Sequence, residues 1–269
     1  MLTDWRVLAA LVRGQRRSGS HAERLEAFYA PQAERYDAFR ERLLWGRDRL
    51  VQSVSAGISA AATLSRPDSA IGAALSRPES AIGAALSRSE SSTGAAPDNG
   101  IRIVELGAGT GRTAEFFGPR LRSFASVELV DLCPSLLARA KLRARAWPNV
   151  RVIEADAARY RPAEPVDAVY FSYALSMMPG WRDALDNGIR MLKPGGILGI
   201  VDFYIPDGYG RAAGMFWRRW FGHDGVRLSI EPLLHARAHV REEQFVDERA
   251  GVPCLPGLKV PVYLFVGRR

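Results

Sequence analysis

The sequence predicts an α/β fold in which an N-terminal helical extension precedes a doubly wound, mostly parallel sheet. Three observations predict it. Residues 101–106 form an apolar run broken only by Arg102 and Glu105, and it stops at three alternating glycines, Gly107, Gly109 and Gly111. Further apolar runs at 124–130, 150–153 and 166–173 recur behind it, the first two followed at once by an acid. A Leu-Lys-Pro-Gly-Gly turn at 192–196 then leads into a last such run, 197–203. Strands covered by helices on both faces read as near-continuous apolar runs, and these do.

Ahead of this pattern the chain has two parts. Leu25, Phe28, Tyr29, Gln32, Tyr36, Phe39 and Leu43 recur at helical spacing through residues 21–51, with Pro31 marking a kink or a new start. Residues 1–55 are therefore expected to form a helical cap over the mouth of the site. Next comes a tandem repeat: AALSRPESAIG at 73–83, AALSRSESSTG at 84–94, and a copy with one inserted residue at 61–72. Pro67, Pro78 and the repeat glycines forbid a continuous helix there. Residues 56–98 read as a low-complexity linker, and 99–269 as the site-bearing domain, long enough for one sizeable core.

The glycine loop carries the function. Alternating glycines let the backbone turn sharply and expose its N–H groups beside a helix expected over 110–117. A dinucleotide fingerprint, G-x-G-x-x-G, requires glycine at position 112, which is Arg112, so the dehydrogenase pattern fails. Asp131 ends the second run 24 residues past Gly107, where a carboxylate suits the hydroxyls of a ribose. Capping the helix expected at 133–140 is its other reading.

Charge and composition narrow the class. The net charge is +8, yet 34 of the 37 basic residues are arginine, a skew that reflects genomic base composition more than a selected surface. Arginines alternate with aromatics over 211–221, where Phe216, Trp217, Trp220 and Phe221 flank Arg218 and Arg219. That pattern suits a peripheral membrane contact or a core-packed lid, and no nucleic-acid recognition module accompanies it. Cys133 and Cys254 lie 121 residues apart without metal-ligand spacing, so no metal is expected, and a reducing cytoplasm is. No apolar run approaches the roughly 18 residues of a membrane span, and the block at 7–12 is too short for a signal-peptide core.

Glu-Leu-Gly-x-Gly-x-Gly at 105–111 resembles motif I of the class I S-adenosylmethionine-dependent methyltransferases. The resemblance implies a Rossmann-like, seven-stranded sheet with a late antiparallel strand at 259–266, and S-adenosylmethionine as cofactor. It places Glu105 on the cofactor's ammonium, Gly107 and Gly109 along its methionine and ribose, Asp131 on the ribose, and Asp156 followed by Ala157 at the adenine. Ser172 joins this set from the end of the fourth run. Doubly wound sheets bind ligands at the C-terminal ends of their strands. Methyl transfer from a sulfonium chiefly needs alignment and exclusion of water. Tyrosines there favour ammonium products by cation–π attraction, so Tyr36, Tyr173 and Tyr204 are expected at the amine site.

A narrower resemblance rests on YALSMMPGW at 173–181, LKPGG at 192–196 with VDFY at 201–204, and VPCLPGLKVP at 252–261. The leader residues Tyr36-Asp37 and LWGRD at 44–48 fit it too. These look like the diacylglyceryl homoserine N-methyltransferases of betaine-lipid synthesis, although the repeat and the short stretch after Tyr204 depart from that pattern. The resemblance implies three successive N-methylations of a diacylglyceryl homoserine at the inner face of the cell membrane, with a partner enzyme supplying the lipid precursor. Rival readings are another phospholipid or quinone methyltransferase, or a non-catalytic, cofactor-binding subunit at the membrane.

Overall fold

The computed structural model describes residues 14–15, 18–34, 37, 41, 43–64, 100–252 and 257–269, with the side chains of 62–64 outside that set. Tyr36, Phe39, Cys254, the block at 7–12 and most of the repeat lie outside the described residues.

Seven strands form one sheet in the order β3-β2-β1-β4-β5-β7-β6. They are β1 (Arg102–Leu106), β2 (Ser126–Asp131), β3 (Val150–Glu154), β4 (Val166–Ser172), β5 (Leu192–Phe203), β6 (Arg241–Gly251) and β7 (Lys259–Arg268). The first five run parallel, and β7 lies antiparallel between β5 and β6. The expected doubly wound, mostly parallel sheet is the fold of this chain.

Two apolar layers flank the sheet. One buries Ile103, Leu129, Tyr170 and Val201 beneath Leu50, Val51 and Val54 of α2 (Arg47–Leu64), the helix that follows α1 (His21–Tyr29). The other buries Val104, Val130, Phe171 and Ile200 against Leu185 of α4 (Trp181–Met191) and Ala236 of α6 (Glu231–His239), beyond α3 (Pro134–Ala144) in the chain. Strand neighbours alternate between the layers, as side chains of period two must.

Three expectations need correction, and a fourth, which had two readings, divides between them. Helix α2 runs past position 56 to Leu64, so the linker does not begin at 56; Val54 and Gly57 pack on Gly199 and Ile197 of β5, which makes α2 part of the sheet's cover. The helix expected over 110–117 is a 3₁₀ segment, Thr113–Ser123, kinked at Gly118 (φ 58°) ahead of Pro119, which has no N–H to continue it. The Pro-Gly-Gly turn is a bulge inside β5: Val166 pairs with Leu192 and Ala168 already with Ile197. The aromatics of α5 (Arg211–Gly222) divide, with Trp217 and Phe221 buried in the first layer while Phe216 and Trp220 stay exposed.

Candidate cofactor and acceptor site

At the C-terminal ends of β1, β2 and β4 the glycine loop, α1 and the start of α2 enclose a cavity of about 310 Å³. Gly107 carries φ 77°, and a Cβ there would stand 2.5 Å from the Cβ of Ala174, so only glycine fits at this crossing. The amides of the three glycines are not offered to a ligand, contrary to expectation; that of Gly111 donates to the Ala108 carbonyl at 2.9 Å. Gly107 and Ala108 donate to the Val130 carbonyl at 2.8 and 3.0 Å, and Gly109 donates to Asp131 Oδ2 at 2.8 Å. The glycines therefore serve close approach and the loop's own hydrogen bonds rather than hydrogen bonds to a ligand.

Asp131 lies on the cavity wall with its second oxygen accepting the Cys133 amide at 2.8 Å. Burial raises its carboxyl above the usual range, and the amides of Cys133, Gly109 and Leu132 oppose that rise. Asp156 and Ala157 also line the cavity, in a turn closed by the Ala158 amide on Asp156 Oδ1 (2.9 Å) and by Asn187 on the Ala157 carbonyl (2.7 Å). Ser172 also faces the cavity, accepting from the Thr113 hydroxyl at 3.2 Å.

Glu105 does not line the cavity. It is buried behind the loop, accepting from the Tyr170 hydroxyl at 3.0 Å and bonded also to Thr113, itself a lining residue. Burial pushes its carboxyl up to about 8, so the unliganded site holds it as the neutral acid at neutral pH. An ammonium beside it would draw it back into the charged form.

The three tyrosines part company. Tyr173 reaches the cavity in a left-handed conformation (φ 54°), uncommon for a residue with a side chain. Its hydroxyl donates to the Trp45 carbonyl at 2.6 Å, and its ring centroid is 4.6 Å from that of Phe203. Tyr204 is not in the cavity. The chain alternates faces past β5, so Phe203 joins Tyr173 while Tyr204 turns to the second layer and packs on Tyr263 at 5.2 Å. Tyr36 falls outside the described residues.

Sequence reasoning missed three groups of lining residues. His21, Leu25 and Tyr29 come from α1, which the helical spacing placed over the site without assigning them to it. Met177 and Met178 follow Tyr173 in a segment quoted only for its resemblance. Arg47 opens α2 in LWGRD, where a helix-start arginine carries no sign that it will be buried. The cap is latched to the loop: Asp37 accepts from the Thr110 hydroxyl at 2.6 Å and from Arg143 at 2.9 Å, and Glu41 pairs with Arg112 at 2.6 Å.

Residues 103–196 match the methyltransferase domain family, over the glycine loop and four of the strands that frame the cavity. That segment is a methyltransferase domain. Its chain is 28% identical over 157 residues to the trans-aconitate 2-methyltransferase of Klebsiella pneumoniae, covering 57% of this chain and 50% of that one. It is 32% identical over 112 residues to the ubiquinone/menaquinone biosynthesis C-methyltransferase UbiE of Stutzerimonas stutzeri, covering 40% and 44%. The chain thus spans about half the length of the curated relatives it matches. Among solved structures, the YcgJ protein of Bacillus subtilis superposes with a TM-score of 0.51 at 19% identity, covering 63% of this chain and 92% of that one. That likeness shows the doubly wound fold alone.

Proposed function

We propose that this chain transfers methyl groups from S-adenosylmethionine to the amino group of diacylglyceryl homoserine, three times in succession, to give a trimethylated betaine lipid. One observation carries the reading: segments far apart in sequence that resemble this N-methyltransferase family meet at Tyr173. Its hydroxyl binds Trp45 beside Arg47 of the leader, its ring touches Phe203 of the Asp-Phe-Tyr segment, and Met177 to Gly180 of its own segment line the cavity.

The residues present fit the cofactor. S-adenosylmethionine supplies, when bound, a methyl on a sulfonium. Asp131 would hold ribose hydroxyls, Asp156 and Ala157 the adenine, and Glu105 the ammonium from behind Thr113. The acceptor amine must arrive unprotonated, and the lining supplied by Leu25, Tyr29, Tyr173 and Met177 keeps water from it. Asp202, buried and raised to about 6, fixes this wall by accepting the amides of Ser176 and Phe203.

The outer face of α5 suits a lipid surface. Met215, Phe216 and Trp220 are 68, 42 and 44% exposed on the same helix as Arg218 and Arg219. Rings at headgroup depth with guanidiniums on phosphates would hold the protein at the inner face of the membrane, where a precursor-supplying enzyme would also act. Among the described residues no helix is long and apolar enough to cross a membrane. The relatives' names favour a second reading, methylation of a small carboxylic acid. Purified protein with labelled S-adenosylmethionine, a lipid extract and trans-aconitate separates the two. Label in a quaternary-amine lipid supports the first, and label confined to the acid or to other lipids overturns it.

A further inference from the structure

Among the described residues, Arg47 has no acid bonded to it. It is 4% exposed, lines the cavity, and its Nε is buried with no hydrogen-bond partner. The part-buried arginines around the site differ: Arg112 pairs with Glu41 and Glu115, and Arg143 with Asp37 and Glu115. Arg47 makes no hydrogen bond or ion pair among the described residues, and its guanidinium carbon lies 5.7 Å from the centre of the Phe116 ring. The nearby acids are engaged elsewhere, Glu105 with Tyr170 and Glu41 with Arg112. A guanidinium cannot shed its proton, and a buried one without an anion is held at a cost.

We propose that Arg47 is the carboxylate-binding residue of this cavity, taking in its planar fork the α-carboxylate of an amino-acid headgroup. Arg47 and Glu105 lie within electrostatic reach of each other, so the site offers a cation beside an acid. That pairing complements an α-ammonium and α-carboxylate on one carbon, and arginine meets a carboxylate with two parallel N–H donors. Two molecules of the proposed reaction carry that headgroup, the methionyl end of the donor and the homoserine of the acceptor. The inference deepens the functional reading and rests on it only for the second source.

The full chain and Arg47→Gln are titrated calorimetrically with S-adenosylhomocysteine and its decarboxylated analogue. Both proteins are then assayed with diacylglyceryl homoserine and its carboxyl methyl ester. If the donor is the source, the wild type prefers the intact ligand by about tenfold or more, as loss of a charged hydrogen bond implies, and the variant loses the preference. If the acceptor is the source, donor affinity is unchanged while KM rises at least about tenfold for the free acid and not for the ester. Arg47→Gln is also expected to melt higher than the wild type without ligand, because an unpaired buried charge is gone; a merely structural arginine would give the reverse. Arg47→Lys keeps the charge without the fork and should recover part of the discrimination. Equal affinities and equal KM values in wild type and both variants overturn the proposal. Should no homoserine lipid be methylated at all, the functional reading fails while the donor titration still decides the role of Arg47.

Discussion

The Asp131 carboxylate accepts the Gly109 amide at 2.8 Å, joining the acid that ends β2 to the loop that ends β1. The same carboxylate takes the Cys133 amide, so it shapes the cavity as well as lining it. Asp131→Ala should leave a folded protein destabilised by about 1–3 kcal/mol, from the amides it strands. If Asp131 holds the ribose as proposed, affinity for the donor should fall at least about 100-fold, because two charged hydrogen bonds would be lost. Calorimetry and a thermal melt read both, and unchanged affinity would remove Asp131 from the ribose.

Glu105 makes stability depend on pH. Its folded value of about 8 stands above an ordinary 4.5, so the native state keeps a proton that the unfolded chain releases. Stability is then full below about 4.5 and falls as pH rises through about 8. Asp202, raised from 3.8 to about 6, adds a loss of the same sign in the lower part of that window. The melting temperature of the unliganded protein should decline from about pH 5 to pH 8, and Glu105→Gln should flatten the stretch above pH 6. Donor binding at pH 7 should release a proton, which calorimetry in buffers of different ionisation enthalpy detects.

Asp37 latches the helical cap to the glycine loop through Thr110 and Arg143. Asp37→Ala should cost about 1 kcal/mol of that closure, weakening donor binding about fivefold. Hydrogen exchange should quicken in α1, whose residues roof the cavity. Unchanged exchange would mean that the cap is held by its apolar contacts alone.

Tyr173 and Tyr204 should respond differently to loss of the hydroxyl. Tyr173→Phe breaks the bond to Trp45, and methyl transfer should drop about tenfold as the leader loosens. Tyr204→Phe changes a side chain outside the cavity, so its rate should stay within about twofold of wild type. Equal losses in both would put Tyr204 back at the reaction.

Replacing Phe216 and Trp220 together by alanine should weaken binding to anionic vesicles about tenfold or more while leaving the melting temperature within about 2 °C. Both rings stand on the exposed side of α5, away from buried Trp217 and Phe221. A large fall in melting temperature would instead make them part of the core.

The sheet was readable because strands buried on both faces leave apolar runs, and because acids such as Asp131 and Asp156 stand where such runs end. Gly107, Gly109 and Gly111 marked the loop, although their spacing could not say that their own amides turn inward. Local signals failed where tertiary contacts decide. Pro119 next to a left-handed Gly118 replaced a helix with a 3₁₀ segment, and a Pro-Gly-Gly turn became a bulge within β5. Tyr204 was lost to parity, since one residue along an extended chain is the other side of the sheet. Arg47 gave no warning, because nothing in a charged residue at a helix start tells that the cavity will close around it.

The insertion of β7 between β5 and β6 has a consequence for biogenesis. During synthesis β6 emerges first but has no neighbour to join, since its every ladder partner belongs to the segment made after it. The outer edge of β5 likewise waits uncovered for the same ten residues. Until they leave the ribosome, a nascent chain displays an open apolar margin that invites chaperones or self-association, so deleting residues 259–268 should disable maturation more severely than any single exchange at the cavity.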